Sequence, residues 1–395
     1  MLQNFPPMGV YETLFKFTDA TAKYMGDPGT HPWAQGYPLT TTVPGGPDLP
    51  GSIHFDYNDL KYPKATGEIE LRAAISNYYN EFYDAGITPE HVAVFAGGRP
   101  GIFAVLSFLQ QDIPVLIEDT EYTPYYDILK ILKRETQFIK STPENRFRPG
   151  ENEYRAALEV TGGKGLLICS NPCNPTGVSL QGDALKNLLD TFSQTGRGAL
   201  IDEAYEFFCD PAPESALAHI DDIDATDIFV VGAATKGLQV PGMRVGWVIA
   251  AQKHIEIFRN YSSFGMGGVS RASQLYVTRL LELERVKQAR KAICVFYKSQ
   301  RERYGEALAE LGLELFTGSG GFYHWGRLPN GLSADEFNQR LFRHEAAILP
   351  GRLCDMRRQP GEPSRLDEFV RFSFGPLSAD SFEGDIEILA ACLKT

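Results

Sequence analysis

The sequence predicts an α/β fold: a large domain with a mostly parallel sheet covered by helices on both faces, followed by a smaller α/β domain. Two observations carry this. Short apolar runs recur at Val92 to Phe95, Pro114 to Ile117, Leu166 to Cys169, Ala199 to Ile201, Ile228 to Val231 and Val245 to Ala250, each the length of a buried strand. Helical patterns such as Tyr125 to Leu132 and Leu185 to Phe192 lie between them, and that alternation is the pattern of a parallel sheet. At 395 residues the chain exceeds what one core usually serves, so two domains are expected, and 43% hydrophobic residues can fill them.

Residues 1–50 are rich in Pro, Gly and Thr. They contain one helical pattern around Val10 to Tyr24, then the breaker Gly26-Asp27-Pro28-Gly29. We read them as an arm packed on the small domain or on a partner subunit. Glu12, His31 and Gln35 are its polar members able to face a site, although solvation or capping is the ordinary role of each.

Residues 51–285 read as the large domain. Tyr62-Pro63-Lys64-Ala65-Thr66-Gly67 is a turn-rich entry to a helix carrying Leu71, Ile75, Tyr78, Tyr79 and Phe82. After the first strand, Gly97-Gly98-Arg99-Pro100-Gly101 opens the apolar helix Ile102 to Leu109. A strand, a glycine turn and a helix N-terminus make an anion site, because the backbone closes in while free N–H groups and the helix dipole face the ligand. The turn is neither a Walker motif nor a dinucleotide GxGxxG.

Three later strand ends carry polar residues out of keeping with their apolar strands: Asn171-Pro172-Cys173-Asn174-Pro175-Thr176-Gly177, Asp202-Glu203-Ala204-Tyr205, and Lys236. In a parallel sheet ligands sit at such ends. Lys236 stands among small and apolar residues, Gly232-Ala233-Ala234-Thr235 before it and Gly237-Leu238 after. An ammonium is poorly solvated there, so its pKa should fall and its amine become a nucleophile. Arg244 follows eight residues later, beyond a Pro241-Gly242 turn able to swing a fixed positive charge back toward the lysine.

Residues 286–395 read as the small domain, joined by a long helical pattern from Glu284 to Leu311. The strands Leu313 to Phe316 and Phe369 to Phe374, the segment Gly320-Gly321-Phe322-Tyr323-His324-Trp325, the helix Ser333 to His344 and the turn at Ile348-Leu349-Pro350-Gly351 make it up.

The net charge of −12 argues against nucleic-acid or anionic-membrane partners. Six cysteines without CxxC pairs suggest reduced thiols, with neither a metal site nor a disulfide framework. No basic segment leads into an apolar core at the N-terminus, and no uncharged run approaches the ~20 residues that span a bilayer. The expected location is the cytoplasm.

Asn-Pro-x-Asn-Pro-Thr-Gly at 171–177, Asp-Glu-Ala-Tyr at 202–205, Thr-Lys with an arginine eight residues later at 236 and 244, and Arg-Phe-Ser-Phe at 371–374 resemble the fold-type-I, pyridoxal 5'-phosphate-dependent aminotransferases of class I/II. Order and separation match over nearly the whole chain. The resemblance implies that Lys236 holds the cofactor as an aldimine and then shuttles a proton. It implies that Asp202 keeps the pyridine nitrogen protonated, and that Asn174 and Tyr205 hydrogen-bond the phenolic oxygen. By the same resemblance Tyr122 stacks on the ring, Gly97, Gly98, Arg99 and Arg244 hold the phosphate, with Thr235 or another donor completing that contact, and Arg371 grips the substrate α-carboxylate, with Asn174 and Gly36 beside it. Tyr62 resembles the tyrosine that reaches the neighbouring subunit's phosphate, which implies a homodimer with shared sites.

Three departures stand out. Ala233 occupies the place of a frequent phosphate-binding serine, Arg99 that of a small hydroxyl residue, and Trp33-Ala34-Gln35-Gly36-Tyr37-Pro38 matches the family's glycine segment only loosely. The implied activity is amino-group transfer from an L-α-amino acid to a 2-oxo acid. The alternatives are elimination or cyclisation on an arginine-like amino acid, as in capreomycidine- and enduracididine-type synthases, with Glu12 and His31 as the acid–base pair, and a regulatory domain without turnover, against which the intact Lys236 argues.

Overall fold

The structure of the protein is a computed structural model that describes residues 8–394. The arm begins with helix α1 (Val10–Thr21), which ends where Ala22 turns left-handed and returns its N–H to the Thr18 carbonyl. Irregular chain then leads to α2 (Ile69–Tyr83), whose Leu71, Ile75, Tyr78 and Tyr79 form its buried stripe.

The large sheet is built from β1 (Val92–Phe95), β2 (Val115–Glu118), β3 (Thr136–Ile139), β4 (Gly165–Ser170), β5 (Arg197–Asp202), β6 (Ile228–Ala233) and β7 (Gly246–Ile249), in the order β1-β7-β6-β5-β4-β2-β3. Strands β2 to β6 run parallel, while β7 is antiparallel to both of its neighbours. Alternate residues feed two separate cores: Leu167, Cys169, Ala199 and Ile201 pack on one face, and Leu166, Ile168 and Leu200 on the other. Helices therefore cover both faces, and the strands read as continuous apolar runs. The edge strand β3 is mostly half-buried, so it keeps Thr136 and Gln137 and gives no apolar run to read.

Helix α3 (Gly98–Phe108) begins inside the glycine turn rather than after it. Pro100 is tolerated there because the first helical turn does not use its N–H groups. The other covering helices are α4 (Thr123–Ile131), α5 (Glu151–Val160), α6 (Asp183–Phe192), α7 (Gln252–Tyr261) and α8 (Arg271–Leu280).

The 28-residue helix α9 (Leu283–Glu310) follows. It bridges the two sheets: Arg301 Nη2 donates to the Phe208 carbonyl at 2.9 Å and to that of Gly321 at 2.7 Å. Beyond it come β8 (Glu314–Leu315), β9 (Tyr323–Arg327), α10 (Ala334–Leu341), β10 (Leu349–Pro350), β11 (Phe369–Ser373) and α11 (Phe382–Leu393), with an antiparallel sheet in the order β10-β11-β9-β8. The arm docks on this sheet. Trp33 is fully buried, its carbonyl accepts from the Ser373 N–H at 2.9 Å, and its Nε1 donates to Asp385 Oδ1 at 3.3 Å. That anchor carries Ala34, Gln35 and Gly36 toward the large sheet. Among the described residues no helix is long and apolar enough to cross a membrane.

Candidate active site

The site is assembled by strand register. Ser170 of β4 pairs with Asp202 of β5, and Asp202 with Val231 of β6. Because β7 is antiparallel, its first residue, Gly246, comes to the same edge, opposite Ala233 of β6 and Phe95 of β1. The turns after β1, β4, β5 and β6 therefore emerge together, bringing Gly97, Asn174, Tyr205 and Lys236 to one edge of the sheet.

Lys236 follows the end of β6 closely. Its Nζ donates to the Gly36 carbonyl and stands 5.8 Å from the centre of the Tyr205 ring. Burial brings its pKa down to about 7, the Arg371 and Arg99 guanidiniums add to the effect, and the Asp202 carboxylate opposes it. Asp202 ends β5 almost fully buried. Its Oδ2 accepts from the Tyr125 hydroxyl at 2.9 Å, and its Oδ1 from the Ala204 N–H at 3.0 Å. Burial pushes the Asp202 carboxyl up, while those two hydrogen bonds and Lys236 favour its charged form.

Asn174 joins the two sheets. Its N–H donates to Ser170 Oγ at 3.0 Å, its Oδ1 accepts from Arg371 Nη1 at 2.8 Å, and its Nδ2 donates to the Tyr205 hydroxyl at 3.4 Å. Arg371 reaches across from β11, and its Nη2 donates to the Ala34 carbonyl at 2.7 Å. Its Nε is buried without a hydrogen-bond partner among the described residues. Tyr122 caps α4 with its ring edge-on to Tyr125 at 5.3 Å. Burial raises its phenol, Asp202 adds to this, and Arg99, Arg371 and Arg244 pull it down.

At the β1 turn, Gly97 adopts φ +106°, and a Cβ there would collide with the Arg244 guanidinium. Arg244 is itself left-handed at φ +52°. Its Nη1 donates to the Pro241 carbonyl at 2.9 Å and its Nη2 to that of Ala96 at 3.3 Å. With Gly97 as N-cap, α3 has no side chain to cap its first N–H groups, which stay free for an anion. Gly98 opens that helix against Ala233: a Cβ on Gly98 would lie 3.8 Å from the Ala233 Cβ. Arg99 is exposed and Thr235 half-buried.

Tyr62 is 94% exposed, so this chain by itself does not bring it into the enclosed cluster. The pairing of Glu12 with His31 is corrected by the structure. Both Arg352 Nη atoms donate to Glu12, and Lys16 Nζ lies 2.9 Å from it, whereas His31 Nδ1 sits 2.7 Å from the buried Asp385. Each is tied to its own partner, so they do not form an acid–base pair.

Sequence reasoning passed over Tyr323, Tyr125 and Ser170. Tyr323 is fully buried, its hydroxyl meets that of Tyr205, and its ring lies 4.2 Å from Arg371 Cζ. It sits inside an aromatic run that reads as core. Ser170 is the last residue of its apolar strand, and its proximity to Asn174 was a signal to use.

The family profile "Aminotransferase class I and II" matches residues 54–380. An aspartate aminotransferase of Pyrococcus horikoshii is 24% identical over 295 residues, covering 73% of this chain and 74% of that protein. An LL-diaminopimelate aminotransferase of Dehalococcoides mccartyi is 24% identical over 371 residues, 89% of each chain. The Thermus thermophilus aspartate aminotransferase, solved with maleate, superimposes with a TM-score of 0.81 at 19% identity, covering 99% of this chain and 100% of that one. With the profile spanning most of its length, the chain belongs to the pyridoxal-phosphate-dependent class I and II aminotransferases.

Proposed function

We propose that the protein transfers the amino group of an L-α-amino acid to a 2-oxo acid, with Lys236 as the residue that binds pyridoxal phosphate and moves the proton. The observation that carries this is the Lys236 amine held on the Gly36 carbonyl and facing the Tyr205 ring, in one cluster with Arg371 and Asp202. The residues fit the cofactor: Gly97 leaves a cradle that a Cβ would fill, and a buried carboxylate and two arginines stand nearby. Pyridoxal phosphate, when bound, supplies the carbonyl that captures the amino group and the ring that withdraws electrons from the substrate α-carbon.

The chain does the rest. The first N–H groups of α3, Thr235, Arg99 and Arg244 would hold the phosphate, the two arginines supplying charge that a serine at 233 would not have. Tyr122 would lie against the ring face, Asp202 would keep a proton on the ring nitrogen, and Tyr205 with Asn174 would donate to the phenolic oxygen. Arg371 would take the α-carboxylate, an anion that would satisfy its Nε, which has no hydrogen-bond partner among the described residues. Lys236 would move the proton at the substrate α-carbon. No observation favours elimination or cyclisation, since Glu12 and His31 are engaged elsewhere.

We read residues 1–50, 51–285 and 286–395 as arm, large domain and small domain, and the working form as a cytoplasmic homodimer in which Tyr62 of one copy serves the other's site. Tyr57, Leu60 and Tyr62 are 90%, 77% and 94% exposed, three large side chains on one short segment that a second copy could bury. Single-turnover mixing with a panel of amino acids, followed by mass spectrometry, tests the function. Pyridoxamine phosphate that a 2-oxo acid reconverts is the expected product. Retention of the aldehyde form with a dehydrated or cyclised product would refute transamination.

A further inference from the structure

Tyr323 and Arg371 occupy neighbouring strands. Tyr323 of β9 pairs with Ser373 of β11, and Arg371, two residues before Ser373, projects from the same sheet face. The Tyr323 ring therefore reaches the guanidinium, 4.2 Å from its Cζ, a separation at which cation and ring attract. Its hydroxyl meets the Tyr205 hydroxyl, and a Cβ on Gly36 would collide with it. One side chain thus touches the carboxylate-binding arginine, the cofactor-facing tyrosine and the arm.

We propose that Tyr323 is a positioning residue that donates its hydroxyl proton to Tyr205, so that the proton of Tyr205 is directed at the phenolic oxygen of bound pyridoxal phosphate. Neighbouring groups set the direction of the donation. The Tyr205 oxygen faces the Asn174 Nδ2 donor at 3.4 Å as well as the Tyr323 hydroxyl, so it is placed to accept from both and to direct its one proton at a third group. The Arg371 guanidinium beside the Tyr323 ring favours release of the Tyr323 proton. A hydroxyl that receives such bonds is in turn polarised into a stronger donor.

This inference rests on the proposed cofactor role of Lys236 and Tyr205. Its test is a spectrophotometric pH titration of the pyridoxal-phosphate holoenzyme in four forms: wild type, Tyr323→Phe, Tyr205→Phe and the double variant. A donor to the phenolic oxygen stabilises its anionic form, so weakening that donor raises the pH at which the bound cofactor loses its proton. Tyr323→Phe keeps the ring on Arg371 and should raise the midpoint by about half a pH unit or more, the scale of a fraction of one hydrogen bond. In the Tyr205→Phe background the same change should shift nothing further. An unchanged or lowered midpoint, an equal shift without Tyr205, or loss of the visible band in Tyr323→Phe overturns the proposal. A wild type without any cofactor band would instead remove the functional reading and this inference with it.

Discussion

The Gly36 carbonyl accepts a hydrogen bond from the Lys236 amine, 200 residues away in sequence. The arm therefore closes directly on Lys236. Because a Cβ at residue 36 would strike the Tyr323 hydroxyl, only glycine lets the backbone approach this far. Gly36→Ala should lift the arm, lower kcat/KM roughly 5- to 150-fold, the equivalent of about 1–3 kcal/mol for a buried polar group left unpaired, and expose the arm to limited proteolysis. Unchanged kinetics and an intact arm would show that the approach is incidental.

Burial, with the Arg371 and Arg99 guanidiniums, brings the Lys236 pKa down from its ordinary 10.5 to about 7. Only the neutral amine attacks a carbonyl, so capture of pyridoxal phosphate by the apoprotein should quicken about tenfold per pH unit below 7 and level off above it. With its pKa lowered only in the folded chain, Lys236 should add stability as pH rises from about 7 to 10.5. Borohydride reduction should fix the cofactor on the peptide containing Lys236. A rate still climbing past pH 9, or label on another lysine, contradicts the assignment.

Tyr125→Phe removes the 2.9 Å donor to Asp202 Oδ2 and leaves a buried carboxylate oxygen unsatisfied, at a cost of about 1–3 kcal/mol. The bond favours the charged carboxylate, so its loss raises the Asp202 pKa. The acid limb of the kcat–pH profile should move to higher pH, and kcat should fall roughly 5- to 150-fold.

Arg371→Lys keeps the charge but loses the planar fork, and leaves Asn174 Oδ1 and the Ala34 carbonyl short of donors. Amino-acid KM should rise roughly 10- to 150-fold, the equivalent of about 1.5–3 kcal/mol, with cofactor content unchanged. Equal KM values would place the carboxylate site elsewhere.

Tyr62, at 94% exposure, points into solvent in a single copy. Lys236→Ala and Tyr62→Ala chains, each inactive alone, should regain activity when mixed, because half of the exchanged dimers then hold one intact site. Inactivity after verified subunit exchange would confine each site to one chain.

The large sheet was legible because its strands are buried on both faces. The runs at Leu166, Ala199 and Ile228 carry their own signal, and parallel topology puts their polar ends at one edge. Lys236, Asp202, Asn174, Arg244 and Arg371 stood in motifs whose order along the chain is local information. β3 escaped because an edge strand needs no continuous apolar run.

The architecture, the family and the candidate site residues were legible in the chain because short stretches carry them. Which of those residues meet was set by packing between distant segments. Tyr323 and Tyr205, 118 residues apart, touch because α9 and the arm dock the small sheet against the large one, and nothing in either stretch encodes that closure. Glu12 and His31 were released from the site by the same packing. Arg352 and Asp385 claim them, and a charged side chain joins whichever counter-charge the fold brings within hydrogen-bond reach.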